Sequence, residues 1–273
     1  MIVFAILIGT LCAGIGSVWV AAILSFGLMA RYTQHMLSMA AGALLATAFM
    51  HLLPEAFESQ AGAHDLFMAL LIGLVFFFLL DKAELWHHGH EHGAHAHSHD
   101  HSHDHGHGHG HSHSHDHAPG LGPTGGSWAV LAGDSVHCFG DGVLIASAFM
   151  ADVRLGMIAS VAVLAHEVPH HMGDLVILRT GATDRQAALI KVSMAGSVTA
   201  LGGLLGCWLV EQLQGYLPFF LVIASSSFIY VALADLIPQL QKRLGGLQTA
   251  TQVAWLLAGI GLVTAVSTLA HAS

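Results

Sequence analysis

The sequence predicts an all-α polytopic membrane fold of eight transmembrane helices, with a polar site between the fourth and fifth. Three observations predict it. Of 273 residues, 54% are hydrophobic and only 9% charged, with a mean hydropathy of +0.65, whereas soluble domains carry about 25% charged residues. Apolar windows of the roughly 20 residues needed to cross a hydrocarbon core about 30 Å thick recur along the chain. The ionisable residues that remain inside such windows gather in two consecutive ones. The same composition excludes an ordinary cytosolic enzyme. It also excludes a nucleic-acid partner, because eight Lys and Arg cannot build a phosphate-tracking surface.

The expected spans are about 2–29, 36–57, 65–86, 127–150, 155–178, 187–213, 217–240 and 250–270. Residues 1–86 therefore hold helices one to three, 87–126 a His-rich loop, and 127–273 helices four to eight. The opening run MIVFAILIGTLCAGIGSVWVAAIL has no basic start and no clear A-x-A ending, so it reads as a membrane helix rather than a cleaved signal. Cys12, Cys138 and Cys207 all fall inside apolar segments, which argues against a disulfide framework. With eight spans, Arg31, Lys82, Arg179, Arg185, Lys191, Lys242 and Arg243 lie on one side and Arg154 alone on the other. The positive-inside rule then places both termini outside and the 87–126 loop in the cytoplasm. The location expected is the plasma membrane, a bacterial inner membrane.

The loop is the low-complexity segment. Between His87 and His117 stand 16 of the 24 histidines, mostly alternating with Gly, Ser, Asp and Ala. Nothing in it can pack, so disorder is expected. Neutral imidazole is the commonest protein ligand for divalent zinc, copper and nickel. The run through His95, His97, His99, His101 and His103 is therefore read as a loose metal trap. An affinity tag is the plainer reading, but this run is internal and interleaved with Asp100, Asp104 and Asp116.

Span four reads GDSVHCFGDGVLIASAFM. Asp134, His137 and Asp141 fall at i, i+3 and i+7 on one helical face, with Cys138 beside them. Gly140 and Gly142 leave room for a close helix approach. Span five reads AHEVPHHMGDLVIL, where His166, Glu167, His170, His171 and Asp174 share one face, and Pro169 should kink the helix. Each ionisable group near the bilayer centre costs about 2.5–3.5 kcal/mol on insertion scales, so such residues are functional candidates. Two His with one or two carboxylates suit zinc, iron(II), manganese or cadmium. A competing reading is an intramembrane zinc metalloprotease, because His166-Glu167-Val168-Pro169-His170 matches H-E-x-x-H. Against it, Pro169 bends the helix between the two His, Glu167 lies among ligand-type residues, and the loop is left without a role. Span two ends AFMHLLPEAFE, so His51 and Glu55 at i and i+4 are placed where an incoming cation would arrive; span seven carries Asp235 and Pro238 in LADLIPQL.

These residues resemble a known family. HLLPEAF in span two, the His-rich loop between spans three and four, HCFGDG in span four, AHEVPHHMGD in span five and LADLIPQL in span seven, in that order along the chain, are similar to the ZIP (Zrt/Irt-like protein) metal-ion transporters. The resemblance implies an eight-helix fold, outward termini, a two-ion site between helices four and five, and a homodimer. It also implies transport of zinc, sometimes iron, manganese or cadmium, towards the cytoplasm. Carried across, His137, Asp141, His166 and His170 would hold the first ion, and Cys138, Glu167, Asp141 and His170 the second. Cys138 stands where the family usually has Asn, and His171 where it often has Glu; a thiolate and one fewer negative charge favour zinc over hard ions. No nucleotide motif is present. The expected function is thus ATP-independent carriage of a divalent ion, most readily zinc, by a protein that is not an enzyme and whose partners are metal ions, the lipid bilayer and a second copy of itself.

Overall fold

Backbone N–H and C=O groups in hydrocarbon have no water to bond, so apolar segments close their hydrogen bonds internally as helices. The computed structural model describes residues 1–26, 33–89, 124–180, 184–240 and 245–272. All regular structure among them is helical. His95, His97, His99, His101 and His103, and the disorder expected around them, lie outside the described residues.

In chain order come α1 (Ile2–Leu11), a π-turn at Cys12–Gly16 and α2 (Ser17–Phe26); then α3 (Thr33–Thr47), a π-turn at Ala48–Leu52 and α4 (Leu53–Phe57). Next are α5 (Ala63–Gly89), α6 (Thr124–Ala151), α7 (Val153–Thr180) and α8 (Arg185–Gln212). A 3₁₀ turn, Gln214–Tyr216, leads into α9 (Leu217–Tyr230), a π-turn at Val231–Leu236, α10 (Ile237–Leu240) and finally α11 (Gly246–Ala272). Six stretches among the described residues are long and apolar enough to cross a membrane: Ile2–Leu24, Gln34–Phe57, Ala63–Leu80, Arg185–Gln212, Gln214–Ala234 and Gly246–Ala270. At 28 residues each, α6 and α7 run about 42 Å at 1.5 Å per residue. They have the length to cross. They fall short on apolarity because they carry the polar cluster.

The π-turns have a local cause at two of three places. A proline ring collides with the carbonyl four residues back, here that of Met50 for Pro54 and of Ala234 for Pro238. In both spans a π-turn ends two residues before the proline and widens the backbone where the collision would occur. Pro169 behaves differently. Helix α7 continues through it without a π-turn.

Close packing rests on glycine. The most extensive interface joins α6 to α8, followed by α3 to α11. A Cβ on Gly142 would run into the Thr199 carbonyl oxygen, with the Gly203 nitrogen 2.7 Å away, and one on Gly202 would run into the Phe139 carbonyl. Likewise Gly42 abuts the Leu256 carbonyl and Gly259 that of Met39. Backbones can approach this closely only where side chains are missing, which is how helices gain dispersion energy in lipid. Gly140, expected to share this role, meets nothing within 4 Å. The outer face of α5 exposes Phe67, Leu71, Val75, Phe76 and Leu79, a surface suited to hydrocarbon.

Helices α6 and α7 form a tight antiparallel hairpin. Asp152 alone separates them, and its Oδ1 accepts the Arg154 N–H at 2.8 Å, capping the first turn of α7. The short connection sets the register: residues equally far before and after Asp152 come to the same depth. Asp134 and His170 are equidistant from it, and Cys138 and Glu167 nearly so.

Gly142→Val should destabilise the bundle by about 1–3 kcal/mol, the usual cost of overpacking, seen as a lower unfolding midpoint in detergent. Gly140→Ala, two residues away, should leave that midpoint unchanged or slightly raise it, since a helical Gly costs about 1 kcal/mol against Ala.

Candidate metal centre

The α6 face contributes Asp134, His137, Cys138 and Asp141, and the α7 face His166, Glu167, His170, His171 and Asp174. Helical spacing puts each set on one stripe, and the hairpin turns the stripes towards each other. Asp134, Cys138, Asp141, His166, Glu167, His171 and Asp174 are buried. At 1.5 Å per residue the cluster lies roughly 16–33 Å below the Asp152 end of the hairpin.

The side chains sort into three groups whose ligand-type atoms lie within 4.8 Å of one another. In the group nearest Asp152, His166 Nε2 stands 3.2 Å from Asp141 Oδ2 and 3.1 Å from Glu167 Oε1. His137 Nε2 is 3.3 Å from Glu167 Oε1, 3.8 Å from Asp141 Oδ2 and 3.3 Å from His166 Nε2. In the middle group, His171 Nε2 lies 3.2 Å from Glu167 Oε2 and 3.7 Å from Asp134 Oδ1, while Cys138 Sγ lies 3.5 and 3.7 Å from the same two oxygens. In the last group, His170 Nδ1 is 3.5 Å from both Asp134 Oδ1 and Asp174 Oδ2.

These separations have a chemical meaning. Around a tetrahedral ion with bonds of about 2.0–2.1 Å, ligand atoms sit about 3.4 Å apart. Asp141 Oδ2, Glu167 Oε1, His171 Nε2 and Asp174 Oδ2 are buried yet make no hydrogen bond, although imidazoles or carboxylates flank each one. Buried polar groups are normally satisfied. Here the distances match donors converging on a cation better than donors converging on a proton.

Hydrogen bonding also fixes two imidazole tautomers. Ser17 Oγ lies 2.6 Å from the Gly14 carbonyl, which can only accept, so the single hydroxyl proton is used there. His171 Nδ1, 3.0 Å from the same Oγ, must then be the donor. As a neutral imidazole His171 therefore presents an Nε2 lone pair to Glu167 and Asp134. His166 Nδ1 makes a long contact of 3.4 Å to the Ala162 carbonyl, leaving its Nε2 in the same state. Such outer partners orient metal-binding histidines.

The grouping differs from the ligand sets that the resemblance implies. Glu167, rather than Asp141 and His170, is common to the first two groups, Asp141 belongs to the first alone, and Asp134 takes part in the second and third. The cause lies in neighbours at the same depth: Asp174, one turn on, and Asp134, across the hairpin, draw the His170 ring towards the Thr180 end of α7. Reading the sequence had put Asp134 on the polar face without assigning it to the site. Ser17 left no signal, since a lone Ser in an apolar span reads as a small packing residue. His51 and Glu55 lie apart from the cluster. With Glu58, Asp152 and Arg154 they line a cavity of about 410 Å³ at the Asp152 end.

A profile described as ZIP Zinc transporter matches residues 1–267. The chain belongs to the ZIP zinc transporter family. Among its relatives are Zinc transporter ZIP10 of Mus musculus, 34% identical over 115 residues, and Zinc transporter foi of Drosophila melanogaster, 32% identical over 140 residues. A third is Zinc transporter zipt-7.2 of Caenorhabditis elegans, 34% identical over 146 residues. The alignments cover 42%, 50% and 49% of this chain but only 14%, 19% and 30% of those proteins. These relatives are animal proteins, and nothing in the comparisons supports a bacterial inner membrane. Family and apolar helices together make the chain an integral membrane protein.

Ser17→Ala removes the acceptor that fixes His171. Outer-partner losses typically cost 10–100-fold in metal affinity. Cadmium titration of the purified chain should show a weakening on about that scale, and Ser17→Thr should keep most of the affinity.

Proposed function

We propose that the chain carries divalent cations, zinc foremost, through the hairpin cluster into the cytoplasm without ATP. One observation carries the reading. Asp141 Oδ2 and Glu167 Oε1 are buried without a hydrogen bond, and the His137 and His166 nitrogens stand 3.1–3.8 Å from them, three of the four separations close to the edge of a tetrahedral zinc site. Membership of the ZIP family points the same way. All eight long helical segments cross the membrane in this proposal, α6 and α7 being shielded from lipid on their polar faces by each other. The ion enters through the cavity lined by His51 and Glu55 and exchanges water for imidazole, carboxylate and the Cys138 sulfur. It leaves at the end from which the His-rich segment extends, where the loop histidines take it up. Cadmium, iron(II) and manganese are further cargo in decreasing accord with the thiol and imidazole donors. The working unit is a homodimer in a lipid bilayer, with both termini outside.

The geometry does not favour the protease. In H-E-x-x-H enzymes both His bind one zinc and the Glu works as base. Here His166 and His170 belong to different groups, and Glu167 stands 3.1–3.3 Å from three imidazoles as a ligand would.

Proteoliposomes holding the purified chain should take up zinc without ATP. His166→Ala should lower the rate at least as much as the roughly 10–100-fold typical of losing an outer-shell partner, with an unchanged elution profile. No zinc uptake by the unaltered chain, alongside cleavage of a helical peptide, would favour the protease.

A separate comparison tests the sulfur. Cys138→Asn replaces a soft donor by a hard one, so zinc uptake should persist while the manganese-to-zinc ratio rises about tenfold. An unchanged ratio would remove Cys138 from the ion's path.

A further inference from the structure

We infer that Asp134, His170 and Asp174 form a third cation position, a release station distinct from the two positions centred on Glu167. This rests on the metal-ion reading of the cluster and extends it. The three groups lie in single file. On α7 they proceed from His166 through Glu167 and His171 to His170 and Asp174; on α6 they proceed backwards from Asp141 through Cys138 to Asp134. The third group is therefore the farthest from the cavity at Asp152. It is also nearest to the ends of α5 and α6 that flank the His-rich segment, with Asp174 about 9 Å from the end of α7 at 1.5 Å per residue.

The contacts suit a cation better than a shared proton. His170 Nδ1 is 3.5 Å from each carboxylate, whereas a charge-assisted N–H···O bond is about 2.7–2.9 Å. One nitrogen carries at most one proton and cannot serve both acceptors. Asp134 Oδ2 and Asp174 Oδ2, both on buried side chains, make no hydrogen bond. Asp134 Oδ1 also lies 3.7 Å from both Cys138 Sγ and His171 Nε2, so one oxygen faces both positions and can hand an ion from one to the other.

Exposure completes the case. The side chain of His170 is 40% exposed, against 3% for His166 and 1% for Glu167. An imidazole open at mid-bundle depth, flanked by carboxylates, faces water rather than lipid. Three protein donors with solvent access make a weaker, partly hydrated site than the one that holds the Cys138 sulfur. The ligand class is thus a divalent cation that keeps some of its water. A graded sequence of this kind lets an ion leave a dry four-donor site without crossing a gap bare of ligands.

The test is anomalous diffraction from crystals of the full chain at saturating cadmium, beside Asp174→Asn and Asp174→Glu. The unaltered chain should show three cadmium peaks between α6 and α7, the third among His170, Asp134 and Asp174. Asp174→Asn should lose the third and keep the other two, because neither other group contains Asp174. Asp174→Glu should retain all three. Two peaks in the unaltered chain, or a third that survives Asp174→Asn, would overturn the proposal. In proteoliposomes Asp174→Asn should cut the maximal cadmium rate about tenfold while half-saturation stays within about threefold, the pattern of impaired release rather than impaired capture. Three peaks in a chain that moved no ion would refute the transport reading and leave the third position standing.

Discussion

Burying the Glu167 carboxylate in the middle of the bundle is the constraint on which the rest depends. Its side chain is 1% exposed, and removing an ion from water still costs several kcal/mol after relaxation unless partners surround it. The partners are arranged by oxygen: Oε1 faces His137 and His166, and Oε2 faces His171 and Cys138. One carboxylate thereby belongs to two groups. His137, His166, His171 and Cys138 each stand against one of those oxygens, and Asp134 extends the file to His170.

Holding these atoms a few ångströms apart needs helices that do not slide. The single-residue connection at Asp152 fixes α6 against α7, and the glycines of α6 and α8 lock α6 from behind. Helix α2 adds the third support, because Ser17 at its first residue lies 3.0 Å from His171 Nδ1. Val18, Ala21 and Ala22 of α2 pack with Val168, Met172 and Leu175 of α7 and with residues of α8, so the same contact is backed by an apolar cluster. Small residues and short links matter here because lipid supplies no hydrophobic drive between helices.

Particular residues show how far the sequence could be read. The stripes of α6 and α7 were legible because helical period is a local property, and Asp134, His137, Cys138, Asp141, His166, Glu167, His170, His171 and Asp174 all fall on them. Gly142 was legible as a contact and Gly140 was mistaken for one, since both are glycines on neighbouring positions and only the path of α8 separates them. Pro169 was expected to kink α7, and the helix runs on through it, while the π-turns precede Pro54 and Pro238. Ser17 could not have been found, because nothing local distinguishes it from the other small residues of an apolar span.

By itself the sequence determined the all-helical membrane class, the approximate bounds of the helices and the two polar faces. Those follow from composition and period, which act over a few turns. The tertiary structure alone decided that Glu167 is shared between groups, that His170 turns to Asp134 and Asp174, and that Ser17 holds the His171 proton. Such pairings depend on the depth and rotation of one helix against another. A glycine crossing and a one-residue turn set that relation through space, and no periodicity along a single helix records it.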